Sequence, residues 1–282
     1  MATTLVLDKS AVVAAPPDYL KGLRRDFSFL LPDVLGEEIG LEAIESDTPS
    51  SPGRKARADA SLRKCTQEAG NEWVERMEAV RWEAVNACSA HLMPRSPIQE
   101  TSLQDADVPD AVRAESLQLK KNMADWASIT HDAEDEIPFK AIRRMSEKEL
   151  YEAIQNDSSS DKVHRVVVQA AQCRLVEEAI RCNQIPPSRP EPDRGWLTYG
   201  LELVSRGLRH WKYGLYGDDR PRKPDNLVCD LYYVGFMAIA DGILSHDAQL
   251  LKLAWAIWPE KRRHIYDFRP DEKQLLRFEP PW

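Results

Sequence analysis

The residues of this chain equipped for chemistry are carboxylates placed at the ends of apolar runs. Thr4-Leu5-Val6-Leu7 leads straight into Asp8. Toward the other end, Asn226-Leu227-Val228-Cys229-Asp230 is followed by Ala240-Asp241-Gly242-Ile243-Leu244-Ser245-His246-Asp247. Asp8 and Asp247 stand where a buried strand would end. If those strands are parallel neighbours, the two acids meet at one sheet edge, the place where open α/β sheets put their ligands. Carboxylates gathered there repel one another, and a hard divalent cation is the usual remedy. The chemistry expected is that of a metal-dependent enzyme.

Positioning these acids takes strands and helices in alternation. Leu5-Val6-Leu7 is too brief for a helix and predicts a short buried strand. Pro16-Pro17 marks a turn before a helical turn at Asp18-Tyr19-Leu20. Phe27 to Leu31 has strand character and ends at Pro32, after which Asp33 is the expected N-cap of a helix through Val34, Leu35, Ile39 and Leu41. Near the C-terminus a helix is expected from Asp225 through Leu231, Val234 and Met237. Gly242 to Ser245 reads as a strand, and Asp247 opens a helix through Ile257 that Trp258-Pro259 stops. His264-Ile265-Tyr266 predicts a last short strand. Strands alternating with helices imply a mostly parallel sheet covered on both faces, an α/β fold.

Between these ends the pattern changes. Glu45 to Gly53 has the composition of a linker, and beyond it strand signals nearly vanish. Trp73, Met77, Val80, Ala84 and Cys88 recur at helical spacing, with Leu92 on the same face. Helical patterns continue through Ala111 to Trp126, Glu147 to Ile154 and Val163 to Ile180. The expected organisation is a discontinuous α/β domain, 1–45 with 195–282, interrupted by an all-helical insertion over 46–194.

Composition narrows the classes. At 43% hydrophobic and 30% charged, the 282 residues suit a globular protein, and no apolar run reaches the ~20 residues of a membrane span. The first residues lack the basic start and apolar core of a signal peptide. Five cysteines without a CxxC pair argue against a disulfide framework, so a reducing cytoplasm is the expected location. A net charge of −8 excludes a uniformly basic surface but not a local basic strip. His91, His131 and His164 show no zinc-ligand spacing.

The terminal segments resemble the PIN-like nuclease family. The likeness rests on Leu5-Val6-Leu7-Asp8-Lys9-Ser10, on Val34-Leu35-Gly36-Glu37-Glu38-Ile39, on Asp230 inside an apolar helix, and on Ile243-Leu244-Ser245-His246-Asp247. It covers about residues 1–45 and 220–270. The resemblance implies a three-layer α/β/α sandwich and Mg²⁺- or Mn²⁺-dependent cleavage of RNA, less often DNA. It also implies that Asp8, Glu38, Asp230 and Asp247 hold the metal, with Ser10 supporting Asp8.

Other readings stand beside these. Glu37 competes with Glu38, Asp247 is also a natural N-cap, and Asp241 either joins the site or caps the start of its strand. A carboxylate at Asp230, with Leu227, Val228, Leu231, Tyr233 and Val234 around it, would be costly unless paired or metal-bound. Arg209, Lys212, Arg220, Arg222 and Lys223 form either a phosphate clamp for nucleic acid or a solvated loop. Trp211, Tyr213 and Tyr216 offer stacking surfaces or core, and His246 either touches substrate or is a plain exposed histidine. The leading expectation is a Mg²⁺- or Mn²⁺-dependent ribonuclease whose helical block selects substrate or a protein partner. A catalytically inactive PIN-like scaffold for RNA or protein is the first alternative. A helical interaction protein is the second, and it leaves Asp230 without a purpose.

Overall fold

A computed structural model describes residues 2–45, 53–70, 72–85, 93, 95–98, 113–114, 117–121, 146–184, 197–205, 225–272 and 274–281; at 85, 147, 157 and 225–228 it describes the backbone alone. At its centre lies a seven-stranded sheet in the order β4-β3-β2-β1-β5-β6-β7. The strands are β1 (Thr3–Leu7), β2 (Phe27–Pro32), β3 (Glu72–Val74), β4 (Ser96–Pro97), β5 (Gly242–Ser245), β6 (Ile265–Arg269) and β7 (Gln274–Arg277). The five inner strands run parallel, and β4 and β7 pair antiparallel at the two edges.

The centre of this sheet is apolar on both faces. Leu5, Val6, Leu7, Leu31, Ile243 and Leu244 are all buried, as expected of parallel strands covered by helices. Removing such side chains from water contributes about 1.5–3 kcal/mol each. The helices are α1 (Lys9–Ala14), α2 (Tyr19–Leu23), α3 (Asp33–Ile44), α4 (Arg54–Lys64), α5 (Arg76–Val85), α6 (Glu147–Ser158) and α7 (Asp161–Arg181). After them come α8 (197–205), α9 (Asp225–Phe236) and α10 (Ala248–Ile257). Most follow the expected spans closely. Asp33 differs by one position: it is the first helical residue, Pro32 is the cap, and the Asp33 Oδ1 accepts the Val34 N–H at 2.9 Å.

The middle of the chain departs from the all-helical expectation. β3 pairs with β2 in the register Leu31↔Trp73 and Pro32↔Val74, and β4 pairs with β3. Residues 72–74 and 96–97 therefore extend the sheet rather than sit in a separate helical body. Trp73, placed by spacing on a helical face, belongs to a strand, and the helix begins at Arg76. Three residues are too few to show a period, and here the strand is set by the open edge of β2. Cys88 and Leu92 lie outside the described residues. At the C-terminus β6 is not the last strand, because β7 returns along it as a hairpin.

One consequence of this topology decides where chemistry can sit. β1 pairs with β5 in the register Leu5↔Gly242 through Leu7↔Leu244, across most of the chain's length. The carboxyl ends of β1 and β5 are thus side by side, with α1, α3, α9 and α10 around them. Among the described residues no helix is long and apolar enough to cross a membrane.

Candidate functional site

Asp8 follows β1 and caps α1. Its own N–H donates to the Leu244 carbonyl at 3.2 Å, which locks it to the end of β5. Its Oδ2 accepts from the Ser10 N–H at 3.2 Å, from the Ser10 hydroxyl and from the Ser245 hydroxyl at 2.6 Å. Among the described residues no donor reaches Oδ1. Burial raises the Asp8 pKa above the usual carboxylate range; the two serines pull it down and Asp247 pushes it up again.

Asp247 serves two purposes through its two oxygens. Oδ1 accepts the Gln249 N–H at 2.8 Å and the Leu250 N–H at 3.3 Å, capping α10. No described donor occupies Oδ2. The Asp247 N–H donates to the Ser245 hydroxyl at 2.9 Å, and the His246 N–H to the Ser10 hydroxyl at 2.9 Å. Ser10 and Ser245 therefore bind the first and last acids into one hydrogen-bonded unit.

The other two acids come from helices. Glu38, on α3, accepts from the Tyr233 hydroxyl at 2.6 Å. Burial, offset by Lys9 and reinforced by the charge of Asp8, lifts its carboxyl to about 7, while Tyr233 and the Cys229 thiol donate to it. Its neighbour Glu37 is turned elsewhere, ion-paired to Arg76. Asp230, on α9, is half-buried, and among the described residues no donor reaches its carboxylate. Burial comes first among the causes that raise its pKa well above the ordinary value, followed by the charges of Asp247, Asp8 and Glu38. The structure thus brings Asp8, Glu38 and Asp247 all within reach of the field of Asp230, and Asp8 within reach of Glu38 and Asp247.

The remaining expected residues fall elsewhere. Asp241 stands at the opposite end of β5, where its Oδ2 accepts the Thr4 N–H at 2.8 Å and its N–H donates to the Thr4 carbonyl. It caps the start of the strand, and of its two readings this is the one its place allows. His246 is exposed, its Nδ1 3.8 Å from Asp267. His164 contacts the Tyr199 hydroxyl at 3.0 Å. Arg209, Lys212, Arg220, Arg222 and Lys223 lie outside the described residues, as do Trp211, Tyr213, Tyr216, His91 and His131.

Two supporting residues escaped the sequence reading. Ser245 lies two places before Asp247, mirroring Ser10 two places after Asp8, and that symmetry was the available signal. Tyr233 lies three places after Asp230, on the same helix face, but its meaning depends on where α3 packs.

Among the described residues no group of three or more His, Cys, Asp or Glu side chains is placed to hold a metal ion. Mg²⁺ is ordinarily held by one or two carboxylates, with water and phosphate filling the rest of its octahedron. Among the described residues no donor reaches Asp230, Oδ1 of Asp8 or Oδ2 of Asp247, which leaves these oxygens open to a cation held in that mode. Comparison with protein-family models, with curated proteins and with solved structures finds no significant match.

Proposed function

We propose that this chain is a Mg²⁺- or Mn²⁺-dependent nuclease of the PIN-like kind, acting on RNA as an endoribonuclease. The observation that carries the reading is Asp230: a carboxylate without a donor among the described residues, its pKa raised first by burial and then by the charges of three other acids. Such a group is costly to bury, and a cation offsets that cost. A bound divalent ion supplies a water of lowered pKa and neutralises charge building on a phosphodiester.

The protein's own residues set the stage for this. Ser10 and Ser245 hold the Asp8 carboxylate through Oδ2, leaving Oδ1 without a donor among the described residues. Asp247 uses Oδ1 for the helix cap, and its Oδ2 would remain for a cation. Tyr233 fixes Glu38, and Lys9 lowers the cost of its charge. The basic residues Arg209, Lys212, Arg220, Arg222 and Lys223 precede α9 in the chain and would clamp the phosphate backbone. The helices of the middle block offer a surface for a protein partner, and a reducing cytoplasm suits the free buried Cys65 and Cys229.

Cleavage of labelled single-stranded RNA with Mn²⁺ tests the reading. Wild type is expected to cleave, and Asp8→Asn and Asp230→Asn to lose about 10²-fold or more, on the scale of removing one strong electrostatic group. Without divalent ions both variants should melt no lower than wild type, because each removes a repelling charge. Equal activity in all three, or none across several substrates, sinks the nuclease reading. The open donor set also suits a scaffold that binds RNA without cutting it. That alternative predicts RNA binding by wild type with no Mn²⁺-dependent product.

A further inference from the structure

The four acids are not held alike. Asp8 and Asp247 sit just past the ends of adjacent strands, where the neighbouring ladder and the two serines fix them. Glu38 and Asp230 ride on separate helices, α3 and α9, and their charges repel. Tyr233 is one tie between those helices. The chain's middle block supplies a second.

Helix α5 reaches both. Its first residue, Arg76, donates its backbone N–H to Asp33 at 3.0 Å and its Nε to the same carboxylate at 3.1 Å, and pairs with Glu37 through Nη2. All these partners lie in the first half of α3, beside Glu38. The same guanidinium stacks 3.9 Å over the ring of Tyr232 on α9. In its last turn α5 carries Glu83, a carboxylate 2% exposed. Glu83 accepts the N–H of Leu197, the N–H of Thr198 at 2.9 Å and the Thr198 hydroxyl at 2.6 Å. It caps the start of α8 from 114 residues away.

Helix α8 in turn bears on α9 with almost no clearance. A Cβ on Gly200 would stand 2.5 Å from both the Gly235 carbonyl oxygen and the Ala238 Cβ, and a Cβ on Gly235 would stand 2.6 Å from the Leu201 Cδ2. With two glycines at the crossing, a displacement of α8 reaches α9 directly. Glu83 thus acts on the helix of Asp230 through α8, while Arg76 acts on both acid-bearing helices.

From this arrangement we infer that α5 is a brace for the acidic site and that Arg76 and Glu83 are its positioning residues. They hold α3 and α9 at the separation at which Glu38 and Asp230 face Asp8. Neither residue bonds to Asp8, Glu38, Asp230 or Asp247 among the described residues. The inference rests on the metal-site reading above and extends it to the segment expected to be a separate insertion.

Mn²⁺ binding, followed by the loss of the free-ion paramagnetic resonance signal, tests the brace without requiring a substrate. Wild type, Asp230→Asn, Glu83→Gln, Thr198→Val and Arg76→Lys are compared, with melting curves taken in EDTA. The expected result is that Asp230→Asn loses binding and that Glu83→Gln and Arg76→Lys weaken it about tenfold. Thr198→Val, which removes a single hydroxyl donor and preserves shape, should weaken binding about threefold and stands in if Glu83→Gln does not fold. Variants that melt lower yet bind Mn²⁺ as wild type does would reduce Arg76 and Glu83 to ordinary stabilising contacts and overturn the brace, leaving the metal site intact. A wild type that binds no Mn²⁺ overturns the site reading and the brace together.

Discussion

A carboxylate's environment at a single position determines whether its charge helps or harms the fold. Glu38 and Glu83 both have their carboxyl groups lifted from 4.5 to about 7, in each case chiefly by burial. Between those values the folded chain holds protons that the unfolded chain has released. Stability is therefore greatest below about 4.5, as far as these groups decide it, and falls as pH rises toward 7. For Glu83, with no charged neighbour among the causes of its shift, the loss is roughly 3 kcal/mol. Asp8 and Asp230, also raised, act with the same sign. Urea unfolding in EDTA should give a lower midpoint at pH 8 than at pH 5, and Glu83→Gln should flatten the slope. A midpoint that rises from pH 5 to pH 8 would contradict the burial of these acids. Mn²⁺ binding should follow the opposite trend and tighten with pH, since the ligands must first lose their protons.

At the scale of elements, Asp247 shows how one residue can cap a helix and also act on a neighbouring acid. Its Oδ1 caps α10 while its charge raises Asp230. Asp247→Asn keeps a capping oxygen and removes the charge, so stability should stay within a few tenths of a kcal/mol while Mn²⁺ affinity drops. Asp247→Ala should lose the affinity and also about 1 kcal/mol of stability. Measured stability that is equal for the two would deny the cap its part. The cap and the place of the candidate ligand were both legible in the sequence, because a strand, an acid and a helix follow one another without a gap at Gly242–Ile257. The same holds for β1 and Asp8. What could not be read was contact between distant elements. Nothing near Glu37 and Glu38 tells which one Arg76 withdraws, nothing in Glu72-Trp73-Val74 announces a parallel partner, and Glu83 reads as one more charge on an amphipathic helix. Each acquires its meaning only when α3, β2 or α8 arrives beside it.

For the whole molecule, the decisive fact is that β1 lies at the centre of the sheet between partners of very different sequence distance. β2 follows within about two dozen residues, whereas β5 arrives only after most of the chain has been made. Until it does, Leu5, Val6 and Leu7, apolar on both faces, form an open edge, and such edges invite pairing between chains. Two truncations separate this central role from that of the outer hairpin. A chain stopped after residue 240 lacks β5, α10, β6 and Asp247; it should elute as aggregate in size-exclusion chromatography and bind no Mn²⁺. A chain stopped after residue 272 loses β7 and the buried Phe278 but keeps β5, β6 and all four acids. It should melt lower yet remain monomeric and bind the ion. A soluble, monomeric product from the first truncation would mean that β1 is satisfied without β5, and the joining of the two ends would then no longer be what creates the site.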